Sequence, residues 1–129
     1  MILDTSAVVA IVLNEPEAEA FVRLIERAAT CRMSVVNHVE LIMVLERRGG
    51  AETTRQAMRL LEVAEVEIES VTLAHGAFAR QAFYNYGKGR HPAGLNFGAC
   101  FAYALAKSRN EELLFKGNDF GRTDVRVAL

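Results

Sequence analysis

Short apolar runs alternate with longer stretches of helical period along this chain. Met1-Ile2-Leu3 is the first run, a short strand that ends on Asp4. Thr5 to Leu13 is apolar and rich in small residues, the pattern of a short helix lying on a sheet. Asn14-Glu15-Pro16-Glu17 opens a second helix: Pro16 suits the first turn, Asn14 is the expected N-cap, and the acids face the positive helix end. Phe21, Leu24, Ile25 and Ala28 recur at helical spacing and carry it to about Ala29. Cys31-Arg32-Met33-Ser34 reads as the second strand. Ser34 caps a helix from Val35 to about Arg48, with Val36, Val39, Met43 and Val44 as its apolar stripe, and Gly49-Gly50 ends it. Ala51 to Ala64 is the next helix, with Ala57, Met58, Leu60 and Leu61 on its buried side.

The second half repeats the alternation. Val66 to Val71 alternates apolar and acidic residues and reads as a third strand, Val66, Ile68 and Val71 being its apolar members. Leu73 to Tyr86 is helical with Phe78, Ala82 and Phe83 inward. Gly87 to Gly94 is a loop, and Asn96 to Ser108 is a helix whose small residues (Gly98, Ala99, Ala102, Ala104, Ala106) permit close approach to a neighbour. Leu113-Leu114-Phe115 is the fourth strand, followed by the turn Lys116-Gly117-Asn118-Asp119, and Val125 to Val127 is a fifth, edge strand. Strands separated by helices need right-handed crossovers. The expected fold is therefore α/β: a central, mainly parallel sheet of four to five strands with helices on both faces, formed as one domain over residues 1–129.

Composition narrows the class without naming a function. The chain is 129 residues long, 51% hydrophobic and 24% charged, which excludes disorder and low complexity. Its longest uninterrupted apolar run, Ala7 to Leu13, is far short of a membrane span. Asp4 precedes that run and no Lys or Arg occurs before Arg23, so a secretory leader is not expected and a cytoplasmic, membrane-free location is. Cys31 and Cys100 form neither a disulfide framework nor a zinc pattern and read as buried reduced thiols. Net charge is -1, yet it is unevenly spread: residues 1–70 hold 7 Lys and Arg against 12 Asp and Glu, residues 71–129 hold 8 against 4. A basic second half suits a polyanion held near an acidic centre.

Ligands of parallel sheets bind beyond the C-terminal strand ends, so polar residues following apolar strands come first. Asp4 ends the first strand and has hydroxyls beside it in Thr5 and Ser6, although Asp is also a favoured helix cap. Glu40 lies about two turns into the helix after the second strand, among apolar neighbours where a lone carboxylate is costly. Asp119 follows the fourth strand in a turn that Gly-Asn-Asp also suits structurally. Asp124 is a weaker fourth candidate. Carboxylates at two strand ends and on one helix, without Cys or His, suit Mg²⁺ or Mn²⁺ rather than Zn²⁺. Lys88, Arg90, His91 and Lys116, with Arg80 and Arg122, could contact phosphates along an RNA path, and Tyr84 and Tyr86 could stack on bases or serve as core aromatics. His38 and His75 are not expected to take part in chemistry.

At this point the order and spacing of several short motifs become specific. Met1-Ile2-Leu3-Asp4-Thr5-Ser6-Ala7, Val39-Glu40, Tyr86 to Gly98 and Leu113-Leu114-Phe115-Lys116-Gly117-Asn118-Asp119-Phe120 together resemble PIN-domain toxins of the VapC type. That resemblance spans essentially the whole chain. It implies a Mg²⁺- or Mn²⁺-dependent endoribonuclease, a VapB-like antitoxin partner that presses a segment into the active-site groove, and a homodimer. It places the family's acidic residues on Asp4, Glu40 and Asp119, with Thr5, Ser6 and Asn96 in support. The family carries a further Asp in the form Asn-Phe-Gly-Asp-Cys, whereas this chain reads Asn96-Phe97-Gly98-Ala99-Cys100. Ala99 stands where a metal-binding carboxylate is expected, so the nuclease should be strongly impaired while the fold is kept. Ala99 marks either a disarming substitution or a degenerate copy that binds RNA or antitoxin without cutting. Other Mg²⁺-using α/β proteins fit less well, since Asp4 lacks the acidic neighbour of a phosphotransfer receiver and Ser6 stands where a haloacid-dehalogenase-like phosphatase has its second Asp.

Overall fold

A computed structural model describes residues 1–129. Four parallel strands, β1 (Ile2–Leu3), β2 (Arg32–Ser34), β3 (Glu67–Glu69) and β4 (Leu113–Leu114), form one sheet in the order β3-β2-β1-β4. Six helices connect them: α1 (Thr5–Val12), α2 (Ala18–Arg27), α3 (Val35–Arg48), α4 (Gly50–Val63), α5 (Leu73–Tyr86) and α6 (Phe97–Arg109). This is the α/β sheet with helices on both faces that the alternation implied. In β1, Ile2 is paired with Arg32 and Leu113, and Leu3 with Leu114. Because successive strand residues point to opposite faces, the sheet divides the interior in two. Leu3, Met33 and Leu114 join α1 to α4 in one core, while Ile2 and Leu113 join α5 and α6 in the other. The central strand thus delivers the residue after Leu3, Asp4, to the C-terminal edge of the sheet between both layers.

Several expectations are corrected. Asn14 does not cap α2; it adopts a left-handed φ of 52°, and the helix starts after Glu17 with no side-chain cap. On α3 the buried line is Asn37, Leu41 and Leu45, while Val39 and Met43 face outward. Two i,i+4 rows compete on this helix, and the sheet selects the one holding two leucines. On α5 the inward residues are His75, Ala79 and Ala82, and Phe78 and Phe83 are exposed. Small residues on α5 and α6 meet each other, and the close approach leaves no room between them for a phenyl ring. The third strand covers only three residues at the sheet edge, so Ile68 and Val71 remain partly exposed. The fifth strand reduces to a single bridge between Leu113 and Val127.

Candidate functional site

The C-terminal ends of β1 and β4, the second turn of α3 and the start of α6 enclose a cavity of about 480 Å³. Asp4, Thr5, Ser6, Glu40, Asn96, Ala99, Lys116 and Asp119 all line it. Each arrives by simple local rules. Asp4 is held by the sheet, its N–H donating to the Leu114 carbonyl (3.0 Å), and its Oδ2 caps α1 by accepting from the Ser6 N–H (3.0 Å) and hydroxyl (2.5 Å). The Ser6 hydroxyl in turn accepts from the Lys116 N–H (3.0 Å), tying the loop after β4 to this carboxylate. Both readings of Asp4, cap and site acid, therefore hold at once geometrically. Burial pushes the Asp4 carboxyl above the usual range, the nearby Glu40 charge adds to this, and the Ser6 hydrogen bonds oppose it.

Glu40 is fixed from three sides. The Thr5 hydroxyl lies 2.5 Å from its Oε1 and 3.0 Å from the Asn37 carbonyl. One proton serves both, and the shorter, charged acceptor is the stronger claim on it. The Asn37 amide is fully buried and donates to the Gly98 carbonyl (2.9 Å), with Glu40 Oε1 at 3.4 Å. A Cβ on Gly98 would lie 2.5 Å from Glu40 Oε1, so only glycine lets α6 approach this carboxylate. Asn96 caps α6 by accepting from the Ala99 N–H (2.9 Å). Position 99 is thereby pinned at the cavity wall, where its methyl group presents no donor or acceptor.

Asp119 stands apart from this tight group. It is exposed on the rim, two residues after Gly117, whose φ of 101° turns the chain there, and it makes no capping hydrogen bond to the short 3-10 turn that follows. Asp124 lies outside the cavity; it accepts from Tyr103 (2.6 Å) and Lys107 (3.0 Å), which hold its carboxyl below the usual range. Of the basic residues, Lys116 lines the cavity, but its ammonium is paired with Glu15 and with Glu17 (3.4 Å). Lys88, Arg90 and His91 do not reach the cavity. Arg90 lies over the Phe83 and Tyr84 rings, at 5.4 and 5.2 Å, and His91 accepts from the Ala93 N–H (3.0 Å) with its ring edge-on to Tyr86. His75 completes the capping box of α5 with Thr72. Both cysteines are buried and free.

Sequence reasoning missed Asn37, Gly98 and Glu15. The available signals were a polar residue three before Glu40, on the same helix face, and a glycine directly before position 99. In kind, the donors fit a hard divalent ion, being carboxylate, hydroxyl and amide oxygens without Cys or His. In number they fall short: no three His, Cys, Asp or Glu side chains converge closely enough to hold an ion.

Residues 1–126 match the PIN domain family. A VapC ribonuclease of Mycobacterium bovis is 44% identical over 129 residues, covering 99% of this chain and 98% of that protein. Ribonuclease VapC28 of Mycobacterium tuberculosis is 44% identical over 130 residues, covering 100% and 98%. The chain belongs to the VapC family of PIN-domain proteins. Its fold agrees with the crystal structure of VapC20 of Mycobacterium tuberculosis, a sarcin–ricin-loop-cleaving toxin, with a TM-score of 0.78 at 17% identity over 99% of this chain and 97% of that one. A toxin–antitoxin complex from Klebsiella pneumoniae gives 0.70 at 14% identity, covering 95% and 92%. Within the VapC fold the acid cavity lies where the sheet ends, and position 99 is part of its wall.

Proposed function

We propose that this VapC-family chain is the toxin of a VapB–VapC pair, an RNA endonuclease disarmed at position 99. The observation that carries the reading is Ala99: it lines the same cavity as Asp4, Glu40 and Asp119 and contributes no oxygen there. Asp4, Glu40 and Asp119 would hold Mg²⁺ or Mn²⁺. Such an ion supplies an oriented, more acidic water and neutralises charge on the phosphodiester. The chain's own residues prepare the site. Ser6 fixes which Asp4 oxygen faces the cavity, and Thr5 and Asn37 hold the Glu40 carboxylate so that it does not turn away from it. With one carboxylate fewer, the ion would bind weakly and take more water ligands, and cleavage would be largely lost while the fold persisted.

Lys88, Arg90, His91 and Lys116 serve RNA in this reading, Lys116 after exchanging Glu15 and Glu17 for phosphate. The antitoxin would place a basic side chain against Asp4 and Glu40, a pairing that relieves two close buried negative charges. A second copy of the chain would cover Val39, Met43 and Phe97, which are 51%, 56% and 73% exposed. Toxin, antitoxin and RNA meet in the cytoplasm; no helix is long and apolar enough to cross a membrane.

The test pairs this chain with its Ala99→Asp version on total RNA, with Mg²⁺ or Mn²⁺ and with EDTA. Cleavage only by the Asp version, stopped by EDTA, is the expected result. If neither version cuts although both are folded, the chain is a degenerate PIN domain that binds RNA or antitoxin without catalysis, the second reading that Ala99 favours.

A further inference from the structure

Between α5 and α6 lies a second cleft of about 590 Å³, reached from the acid cavity across Asn96, which lines both. Its walls are aromatic and its edge is basic. Phe83, Tyr84, Phe97 and Phe101 line it together with Arg80 and Lys88. The rings are arranged as tilted pairs, Phe83 with Tyr84 at 5.7 Å and Phe97 with Phe101 at 5.0 Å between centroids. Tyr84 is 61% exposed, an unusual cost for a ring unless something covers it.

Charge indicates what covers it. No Asp or Glu occurs between Glu69 and Glu111. Lys107, Arg109, Lys116 and Arg126, in the same half of the chain, each have a carboxylate within 4.0 Å. Arg80, Lys88 and Arg90 have none; Arg90 rests instead on the Phe83 and Tyr84 rings. Rings beside unneutralised cations are what unpaired nucleotides need: a base stacks on the ring and its phosphate meets the cation. A second copy docked symmetrically over this cleft would set these cations against their own counterparts.

We infer that the α5–α6 cleft binds unpaired RNA next to the acid cavity, with a base on Tyr84 and Phe83 and phosphates on Arg80 and Lys88. The site goes beyond the nuclease centre and rests on the reading that this chain acts on RNA. It selects single-stranded or looped RNA over duplex, because a paired base has no free face to offer the rings. Asn96, at the junction, lies where the strand passes from cleft to cavity.

The experiment uses the full chain with Ala99 in place, so that bound RNA stays intact. Fluorescence anisotropy would follow a labelled, unstructured RNA of about 12 nucleotides, a length in the usual range for single-strand sites, and the same sequence as duplex. The single strand should bind more tightly than the duplex. Tyr84→Ala should weaken single-strand binding about tenfold, and Tyr84→Phe should restore it. Arg80→Ala combined with Lys88→Ala should reduce the slope of log affinity against log salt by about 1.4. Arg55→Ala, on the distant α4, is the control expected to change nothing. The inference is overturned if the parent prefers duplex, if Tyr84→Ala binds as the parent does, or if these variants alter sedimentation mass instead of RNA affinity, which would make the cleft a protein-binding surface. Cleavage by Ala99→Asp judges the nuclease reading separately. RNA cut by Ala99→Asp with equal efficiency in the Tyr84→Ala background sinks the cleft alone. Absence of both cutting and RNA binding sinks the two together.

Discussion

Asp4 caps α1 and also lines the acid cavity, and its burial raises the carboxyl's pKa with no cation beside it. A site kept at the expense of stability is the usual pattern for a functional acid. Asp4→Asn keeps an oxygen for the Ser6 cap and removes the buried charge. It should stabilise the fold by about 1 kcal/mol at neutral pH, read from urea unfolding, because the charged form is the one burial disfavours; a loss of stability would contradict this balance. Gly98→Ala is the opposite case. Its Cβ would strike the Glu40 carboxylate, so the substitution should cost about 1–3 kcal/mol by the same measurement and free Glu40 from Thr5. At this scale much of the site was legible. Asp4 and Asp119 follow strands, and Glu40 is a lone acid in an apolar stretch. Asn37 was not legible, because a buried amide looks like any helix-face Asn until Gly98 is known to lie against it. Glu15 was hidden for a different reason: a helix-start acid already has a local explanation, and its link to Lys116 spans the fold.

Helix faces were harder to read than helix spans. Both limits of α3 follow from Ser34 and Gly49, whose capping roles depend on neighbours in sequence. Its inward face depends on the sheet, and periodicity alone offers two rows four residues apart. Leu45→Ala should therefore cost about 2–5 kcal/mol, since Leu45 is fully buried. Met43→Ala should change stability by no more than about 0.5 kcal/mol in the monomer, although Met43 belongs to the row that periodicity selects. Equal costs at the two positions would mean that α3 is rotated. On α5 the same reasoning failed at Phe78 and Phe83: the aromatic residues stay outside because the facing helix is built of small residues for close contact. Asn96 was readable as a cap because the interaction is local, and Asn96→Ala should cost about 1 kcal/mol.

For the molecule as a whole, one cation ties the basal side of the sheet together. Arg32 on β2 meets Glu67 and Glu69 of the neighbouring strand β3, and Glu111 just before β4. Its side chain is only 18% exposed, so Arg32→Ala would leave three acids facing one another, and thermal unfolding should reveal a loss of about 2 kcal/mol. The overall architecture followed from the sequence because alternation of strand and helix leaves few topologies, whereas the edge strands did not, since short edges depend on a single neighbour. What the molecule does turns on the acid cavity, which has every element of its wall in place except a carboxylate at position 99. The decisive measurement is a calorimetric Mn²⁺ titration of this chain beside its Ala99→Asp version. Affinity about tenfold tighter or more in the Asp version, lost again on adding Glu40→Gln, is expected if position 99 completes a metal centre whose affinity follows its ligand charge count. Equal affinities in the two folded proteins would show that position 99 is not part of a metal site and that the disarmed-nuclease reading is wrong.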